Sequence, residues 1–149
     1  MAVAGQTFTT ESGMPVRIEI VAACTISAPD LDFGAYNTAS TAPLKGQTTI
    51  QLSCAAGAVV ELSLDGGTAP GGNTSGRKLS SESGPDRLDY GLYQDAGRTI
   101  HWGDRSGVDT LEVLATGVPQ SVPVYGEIPA RQRARAGTYS DTITVRLQY

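Results

Sequence analysis

Histidine occurs once and cysteine twice in the 149 residues, and this scarcity argues against most metal and nucleophilic chemistry. A structural zinc ion needs four nitrogen or sulfur ligands, and the two isolated cysteines form no CxxC pair. The single histidine, His101, has Asp104 as its nearest acid, and no GxSxG motif supplies a nucleophile. We expect His101 to be an ordinary hairpin side chain, so the sequence predicts no enzyme, no metal, no cofactor and no small-molecule substrate.

Charge is also sparse, with 17% charged residues and a formal net charge of -4. Such a surface lacks the positive field that a phosphate backbone requires, so nucleic acid is not an expected partner. Basic side chains cluster only at Arg131, Arg133 and Arg135. We expect these arginines to lie in a solvated loop between two strands, and a docking patch for an acidic partner is the alternative.

Long apolar runs and helical periodicity are missing too. No stretch approaches the roughly 20 apolar residues that span a bilayer. No signal peptide is visible either, because the first basic residue is Arg17, so we expect a secreted chain to be the mature form. Short apolar runs instead alternate with turn residues, among them 18 Gly and 8 Pro. This pattern is typical of one domain built from many short strands.

The predicted fold is therefore all-β, with two sheets packed as a sandwich. A polar leader reaches Gly13, and eight strands are predicted after it. They cover residues 15–22, 31–36, 47–54, 58–64, 87–93, 111–114, 120–127 and 138–148. The segment 65–84 is predicted to be a long surface loop, because it is too polar and too rich in glycine to offset the entropy of ordering.

Strict alternation marks both extremities of the chain. Near the start, one side of a predicted strand carries Met14, Val16, Ile18 and Ile20. At the end, one side of the last strand carries Ile143, Val145, Leu147 and Tyr149. Alternation with period two is the pattern of a β-strand. Two terminal strands offer edges that can pair within the molecule or with a neighbour.

Three further side chains are expected in the core or beside it. Within strand 47–54, Cys54 shares a face with Ile50 and Leu52, so it should point inward. Cys24 and Cys54 could form a disulfide, or they could be two buried thiols. Trp102 is expected to be a packing residue, and a sugar-stacking surface is the alternative.

Three stretches together resemble the spore coat protein U domain family, which includes the pilins of archaic chaperone-usher pili. The stretches are CTIS with LDFGAY, LDYGLYQDAGRTIHWGD, and VPVYGEIPARQRARAGTYSDTITVRLQY. The likeness runs from about Val16 to Tyr149, and the terminal GTYSDTITVRLQY and the YGEIP corner are its most specific parts.

The resemblance implies an incomplete immunoglobulin-like β-sandwich that lacks its last strand and is completed by a donor strand from a neighbouring subunit. Residues 1–22 would form the leader and donor strand, and residues 23–149 the pilin domain. The donor side chains would be Met14, Val16, Ile18 and Ile20. The edge of the accepting groove would carry Ile143, Val145 and Leu147. The family's disulfide would join Cys24 to Cys54.

The function implied is that of a structural pilin, polymerised by donor-strand exchange for adhesion and biofilm formation. Identical subunits would join head to tail, after a periplasmic chaperone and an outer-membrane usher had delivered them to a cell-surface pilus. Two alternatives stay open: a secreted coat protein of the spore-coat type, and a surface-binding adhesin module. An adhesin of the tip type normally has an additional receptor-binding domain, for which 149 residues leave no space.

Overall fold

The computed structural model describes residues 7–21 and 23–149, and the first strand in this part of the chain begins at Cys24. Positions 1–6 of the predicted leader and position 22 of the predicted strand 15–22 lie outside the described residues. The strands are β1 (Cys24–Ser27), β2 (Leu44–Cys54), β3 (Val59–Leu64), β4 (Arg77–Ser81), β5 (Arg87–Tyr93), β6 (Leu111–Leu114), β7 (Gln120–Ile128), β8 (Tyr139–Ser140) and β9 (Val145–Gln148).

The strands form two sheets, and every named pair is antiparallel. The larger sheet has the order β1-β2-β7-β5-β4-β8, and the smaller sheet has the order β6-β3-β9. The longest ladder joins β2 to β7, from the pair Leu44 and Ile128 to the pair Leu52 and Gln120. The architecture is thus the all-β, immunoglobulin-like sandwich expected from the sequence.

Both sheets contribute to one core because each strand turns alternate side chains inward. Along β7, for example, Val122, Val124, Gly126 and Ile128 are buried, while the residues that alternate with them are more exposed. Leu62 and Leu64 of the smaller sheet pack into the same cluster. Trp102 is 0% exposed and donates from Nε1 to the Leu62 carbonyl at 3.1 Å. Trp102 is therefore a packing residue, and the sugar-stacking alternative is wrong.

A disulfide fastens the start of β1 to the end of β2. Cys24 and Cys54 are direct partners in the β1–β2 register and are bonded to each other. Cys54 is buried together with Ile50 and Leu52, as their shared face predicts. The disulfide therefore joins the first residue of β1, which follows the N-terminal segment, to the last residue of β2 in the larger sheet.

Several strand predictions are confirmed, and three need correction. The predicted strands 87–93 and 111–114 coincide with β5 and β6, and the predictions for β2, β3 and β7 agree within a few residues. Residues 15–21 form no strand, and neither does the segment 31–36. The predicted strand 138–148 is divided into β8 and β9, which belong to different sheets.

The predicted loop 65–84 is also wrong in part, because it contains β4. This strand pairs with β5 on one side and β8 on the other. Its first residue, Arg77, is buried and donates to the carbonyls of Asp65, Leu64 and Trp102. Composition failed here because the strand is short and lacks alternation, so its pairing with distant strands determines its structure.

Candidate functional site

The N-terminal segment 7–21, called the arm below, exposes a row of aliphatic side chains. Met14, Val16, Ile18 and Ile20 are 82%, 83%, 88% and 81% exposed, respectively. No residue of the arm belongs to a named strand. Burying a large aliphatic side chain stabilises a protein by about 1.5 to 3 kcal/mol, so the arm leaves a considerable apolar contribution unused in this structure.

A long groove opens the core of the sandwich at its side. Its volume is about 1240 Å³. One wall is formed by residues 28–38 and the other by residues 134–143 with Val145. Between the walls lie core side chains of both sheets: Ile50, Leu64, Leu79, Leu88, Tyr90, Leu92, Val124 and Ile128. The groove therefore gives an external segment direct access to the hydrophobic core.

The first wall is held by side chains rather than by a ladder. Phe33 packs onto two glycines that face each other across β2 and β7, Gly46 and Gly126. A Cβ atom on Gly126 would lie 2.6 Å from Phe33 Cζ, and one on Gly46 would lie 2.9 Å from Phe33 Cδ1. The Tyr36 hydroxyl donates to the Pro129 carbonyl at 2.6 Å. These contacts hold residues 28–38 in place at one side of the groove, although this segment forms no strand.

The second wall consists of the end of the loop before β8, β8 itself and the crossover to β9, and Asp141 organises the crossover. Asp141 Oδ1 accepts hydrogen bonds from the amides of Thr68, Ala69 and Thr142, each at 2.9 Å. The Tyr90 hydroxyl donates to Asp141 Oδ2. Burial of the phenol, with the neighbouring Asp141 carboxylate, raises the pKa of Tyr90, so its hydroxyl stays protonated and can donate.

Of the predicted groove-edge residues, Ile143 and Val145 line the groove and Leu147 does not. Val145 and Leu147 lie on β9, which within residues 7–21 and 23–149 pairs with β3 alone and is an edge strand of the smaller sheet. Leu147 packs against both core clusters from the far end of β9. The four aliphatic side chains predicted for the donor strand lie on the exposed arm. The predicted donor side chains are therefore exposed to solvent and do not fill the groove of their own chain.

Sequence reasoning missed the residues that shape the groove walls. Gly46 and Gly126 could have been noticed, because an isolated glycine inside a strand pattern often marks a close approach of another group. No signal in the sequence distinguishes Asp141 from other aspartates near turns. Its role depends on amides more than 70 positions away, those of Thr68 and Ala69.

The charged and polar surroundings of the groove are modest. Arg131, Arg133 and Arg135 are exposed in the loop between β7 and β8, as predicted. Within residues 7–21 and 23–149, no group of three or more His, Cys, Asp or Glu side chains is placed to hold a metal ion. In the same part of the chain, no helix has the length and apolar character needed to cross a bilayer.

The fold and the candidate site thus define an open all-β sandwich that carries an exposed apolar arm. The Spore Coat Protein U domain model matches residues 10–146. Protein U of Myxococcus xanthus is 33% identical over 128 residues, which cover 80% of this chain and 71% of that protein. The chain therefore belongs to the Spore Coat Protein U domain family.

A solved structure shows the same fold. It is the CsuC-CsuE chaperone-tip adhesion subunit pre-assembly complex from the archaic chaperone-usher Csu pili of Acinetobacter baumannii. The likeness to one of its chains has a TM-score of 0.63 at 24% identity and covers 87% of this chain. This chain spans 40% of the length of the one it matches.

Proposed function

We propose that this protein is a structural pilus subunit that polymerises by donor-strand exchange. The arm of one copy inserts into the groove of the next and completes its sandwich. The observation that carries the proposal is the coexistence, in one chain, of four aliphatic side chains more than 80% exposed and a groove of about 1240 Å³ that opens onto the core.

Burial of the arm's side chains and pairing of its main chain would both stabilise such a joint. Val16, Ile18, Ile20 and Met14 would each contribute about 1.5 to 3 kcal/mol on burial, before the entropy of ordering the arm is subtracted. The main chain of the arm would add a strand beside β9, whose outer edge is available for pairing. Insertion would also cover the partly buried apolar residues of the groove walls, among them Leu31, Ile143 and Val145. The joint would then open slowly, as a fibre under load requires.

The family and the fold support an assembly route through the periplasm. The solved relative of this fold was captured in a complex of a chaperone with a tip adhesion subunit of chaperone-usher pili. By analogy, a periplasmic chaperone would cover the groove until an outer-membrane usher exchanged it for the arm of the next subunit. The disulfide between Cys24 and Cys54 suits this oxidising compartment. The product would be a cell-surface fibre serving adhesion and biofilm formation.

Negative-stain electron microscopy tests the proposal. The oxidised, intact chain is compared with Ile18→Asp, which places a charge where an aliphatic side chain should be buried. Ser12→Asp is the matched control, because it adds the same charge to the arm outside the alternating segment. We expect thin fibres from the intact chain and from Ser12→Asp, and none from Ile18→Asp.

Two results would contradict the proposal. Fibres that persist in Ile18→Asp would show that assembly does not use the aliphatic row of the arm. Discrete monomers from the intact chain, with its arm protected from protease, would show that the arm fills its own groove.

A secreted coat protein is the second candidate, favoured by the description of the family, the Spore Coat Protein U domain, whose model matches residues 10–146. Such a coat could be assembled through the same joint, so electron microscopy of purified protein does not separate the two. Immunogold labelling of the producing cells does. Label along thin surface fibres would favour the pilus, and label confined to a continuous coat would favour the alternative.

A further inference from the structure

The groove has charged groups at separate places along its length. Its charged lining residues are Asp30, Asp32, Arg135 and Asp141. Asp141 is already occupied by three amides and the Tyr90 hydroxyl. Asp30 and Asp32 lie on the first wall, and the side chain of Arg135 is 80% exposed with its Nε 3.8 Å from Asp86 Oδ2.

Asp30 of the first wall and Arg135 lie toward opposite ends of the groove, whereas Asp141 lies on the second wall beside β8. Thr48 Oγ1 donates to the Pro29 carbonyl at 3.3 Å. Because Thr48 pairs with Val124 in the β2–β7 ladder, the first wall begins beside this pair. The wall then runs to Tyr36, whose hydroxyl contacts the carbonyl of Pro129, just past the end of β7. Five strand residues separate these levels, which is about 16 Å.

Arg135 belongs to the second of these ends. The Gln132 amide donates to the Tyr36 hydroxyl at 3.2 Å, and the Arg135 amide donates to Asp86 Oδ2 at 2.8 Å, before the start of β5. The loop that carries Arg135 therefore begins where the first wall ends. Asp30 stands near the start of that wall. Asp32 lies part-way along it, between Leu31 and Phe33, whose side chains contact Gly126.

The arm carries the complementary pair. Arg17 and Glu19 alternate with Val16, Ile18 and Ile20, so they share the face that stays outside when the aliphatic row is buried. They are two residues apart, about 7 Å in an extended chain. Only one direction of insertion brings each of them toward an opposite charge.

We infer that these charges set the direction in which the arm of a second copy enters the groove, an inference that rests on the proposed function. Glu19 of the incoming arm lies toward Arg135, and Arg17 lies toward Asp30 and Asp32. The reverse direction brings Arg17 toward Arg135 and Glu19 toward the two aspartates, which is repulsive at both ends.

The same direction is antiparallel to β9. β9 begins soon after β8, whose Ser140 pairs with Ser80 near the Arg135 end of the groove. It runs from there toward the other end, where Leu147 packs against the cluster that contains Leu52 and Val60. An arm that places Glu19 near Arg135 and Met14 at the far end runs the opposite way. Antiparallel ladders are slightly more stable per residue than parallel ones, so the charge order and the main-chain pairing favour one direction.

A charge-reversal cycle on assembled fibres tests the inference. Fibres of the oxidised intact chain, Glu19→Arg, Arg135→Glu and the double variant are diluted into urea at low ionic strength, because an ionic denaturant would screen the charges, and the rate of subunit release is measured. We expect each single reversal to speed release roughly 3- to 10-fold, as for partly exposed ion pairs turned repulsive, and the double variant to return near the wild-type rate. Arg133→Glu is the matched control: this arginine is exposed on the same loop but does not line the groove, so it should show no coupling to Glu19→Arg.

The outcomes separate the inference from the function on which it rests. Fibres that require Ile18 but show independent effects of the two reversals would overturn the direction and leave the function standing. Arg17→Glu should speed release, and slower release in that variant would establish the opposite direction. If the intact chain forms no fibres that depend on Ile18, the proposed function fails and the inference fails with it.

Discussion

The hydroxyl of Tyr90, on β5 of the larger sheet, donates a hydrogen bond to Oδ2 of Asp141, at the point where the chain leaves that sheet for the smaller one. The pair lies in the groove lining, and the other carboxylate oxygen holds three amides. One side chain thus ties the crossover to the core and shapes the wall beside which an arm would lie.

Loss of this carboxylate should destabilise the domain. We expect Asp141→Ala to lower the free energy of unfolding by about 2 to 3 kcal/mol, because several donors lose a charged acceptor. Tyr90→Phe removes only one of these bonds and should cost about 1 to 2 kcal/mol. Urea titration of the oxidised protein, followed by tryptophan fluorescence, measures both. Each change is made in the Ile18→Asp background so that assembly does not contribute. Equal losses would mean that the three amides find other acceptors.

The disulfide should raise the free energy of unfolding mainly by reducing the conformational entropy of the unfolded chain. Cys24 and Cys54 are 30 positions apart, and a loop of that size corresponds to roughly 3 to 4 kcal/mol in the chain-entropy model. Replacing both cysteines with serine should therefore lower the midpoint of urea unfolding markedly. The reduced wild-type protein should match the double variant. A loss below about 1 kcal/mol would show that the entropy model overstates the effect here.

The glycine pair under Phe33 predicts an intolerance to a single methyl group. Gly126→Ala should destabilise the protein by about 1 to 3 kcal/mol, because the added Cβ overlaps the ring and the ring must move. Gly126→Ala combined with Phe33→Leu should recover part of this loss. Gly84→Ala is the control, since its Cβ would meet Ser81 Oγ at an ordinary 3.7 Å. Thermal unfolding of the wild type and the three variants gives the comparison, and equal stability of Gly126→Ala and Gly84→Ala would contradict the packing argument.

His101 should make stability depend on pH. Burial, and then the positive charge of Arg77, lowers the pKa of His101 below its ordinary 6.5 in the folded state. The unfolded chain therefore binds a proton first as the pH falls, so the stability from the neutral imidazole is present above about pH 6.5 and is lost below it. Urea midpoints between pH 7.5 and 5 should fall more steeply for the wild type than for His101→Gln. Parallel profiles would show that other groups control this range.

Much of the fold follows from local alternation along the chain. Strands such as β5 and β7 bury every second side chain, so the spacing of Leu88, Tyr90 and Leu92 predicts both the strand and its inward face. The same reasoning predicted that Cys54 points inward. It failed for residues 15–21, because alternation shows that a segment can be a strand and does not supply the partner with which it pairs.

The candidate site was only partly predictable for the same reason. The aliphatic row on the arm is visible in the sequence, and so are the side chains Ile143 and Val145 that line the groove. The groove walls depend on contacts between distant residues, such as Phe33 with Gly126 or Asp141 with Ala69. No short window of sequence contains both partners of such a contact.

The amino-acid sequence was thus sufficient for the fold class, the inward faces of the main strands, the family resemblance and the apolar row on the arm, because these depend on the order of neighbouring residues. Tertiary structure was needed to divide the last alternating segment between two sheets and to place Arg77 in the core. It was also needed to form the open groove between the two walls. These features arise when strands far apart in the chain compete for the same hydrogen bonds and the same interior space, and that competition is settled only in the folded molecule.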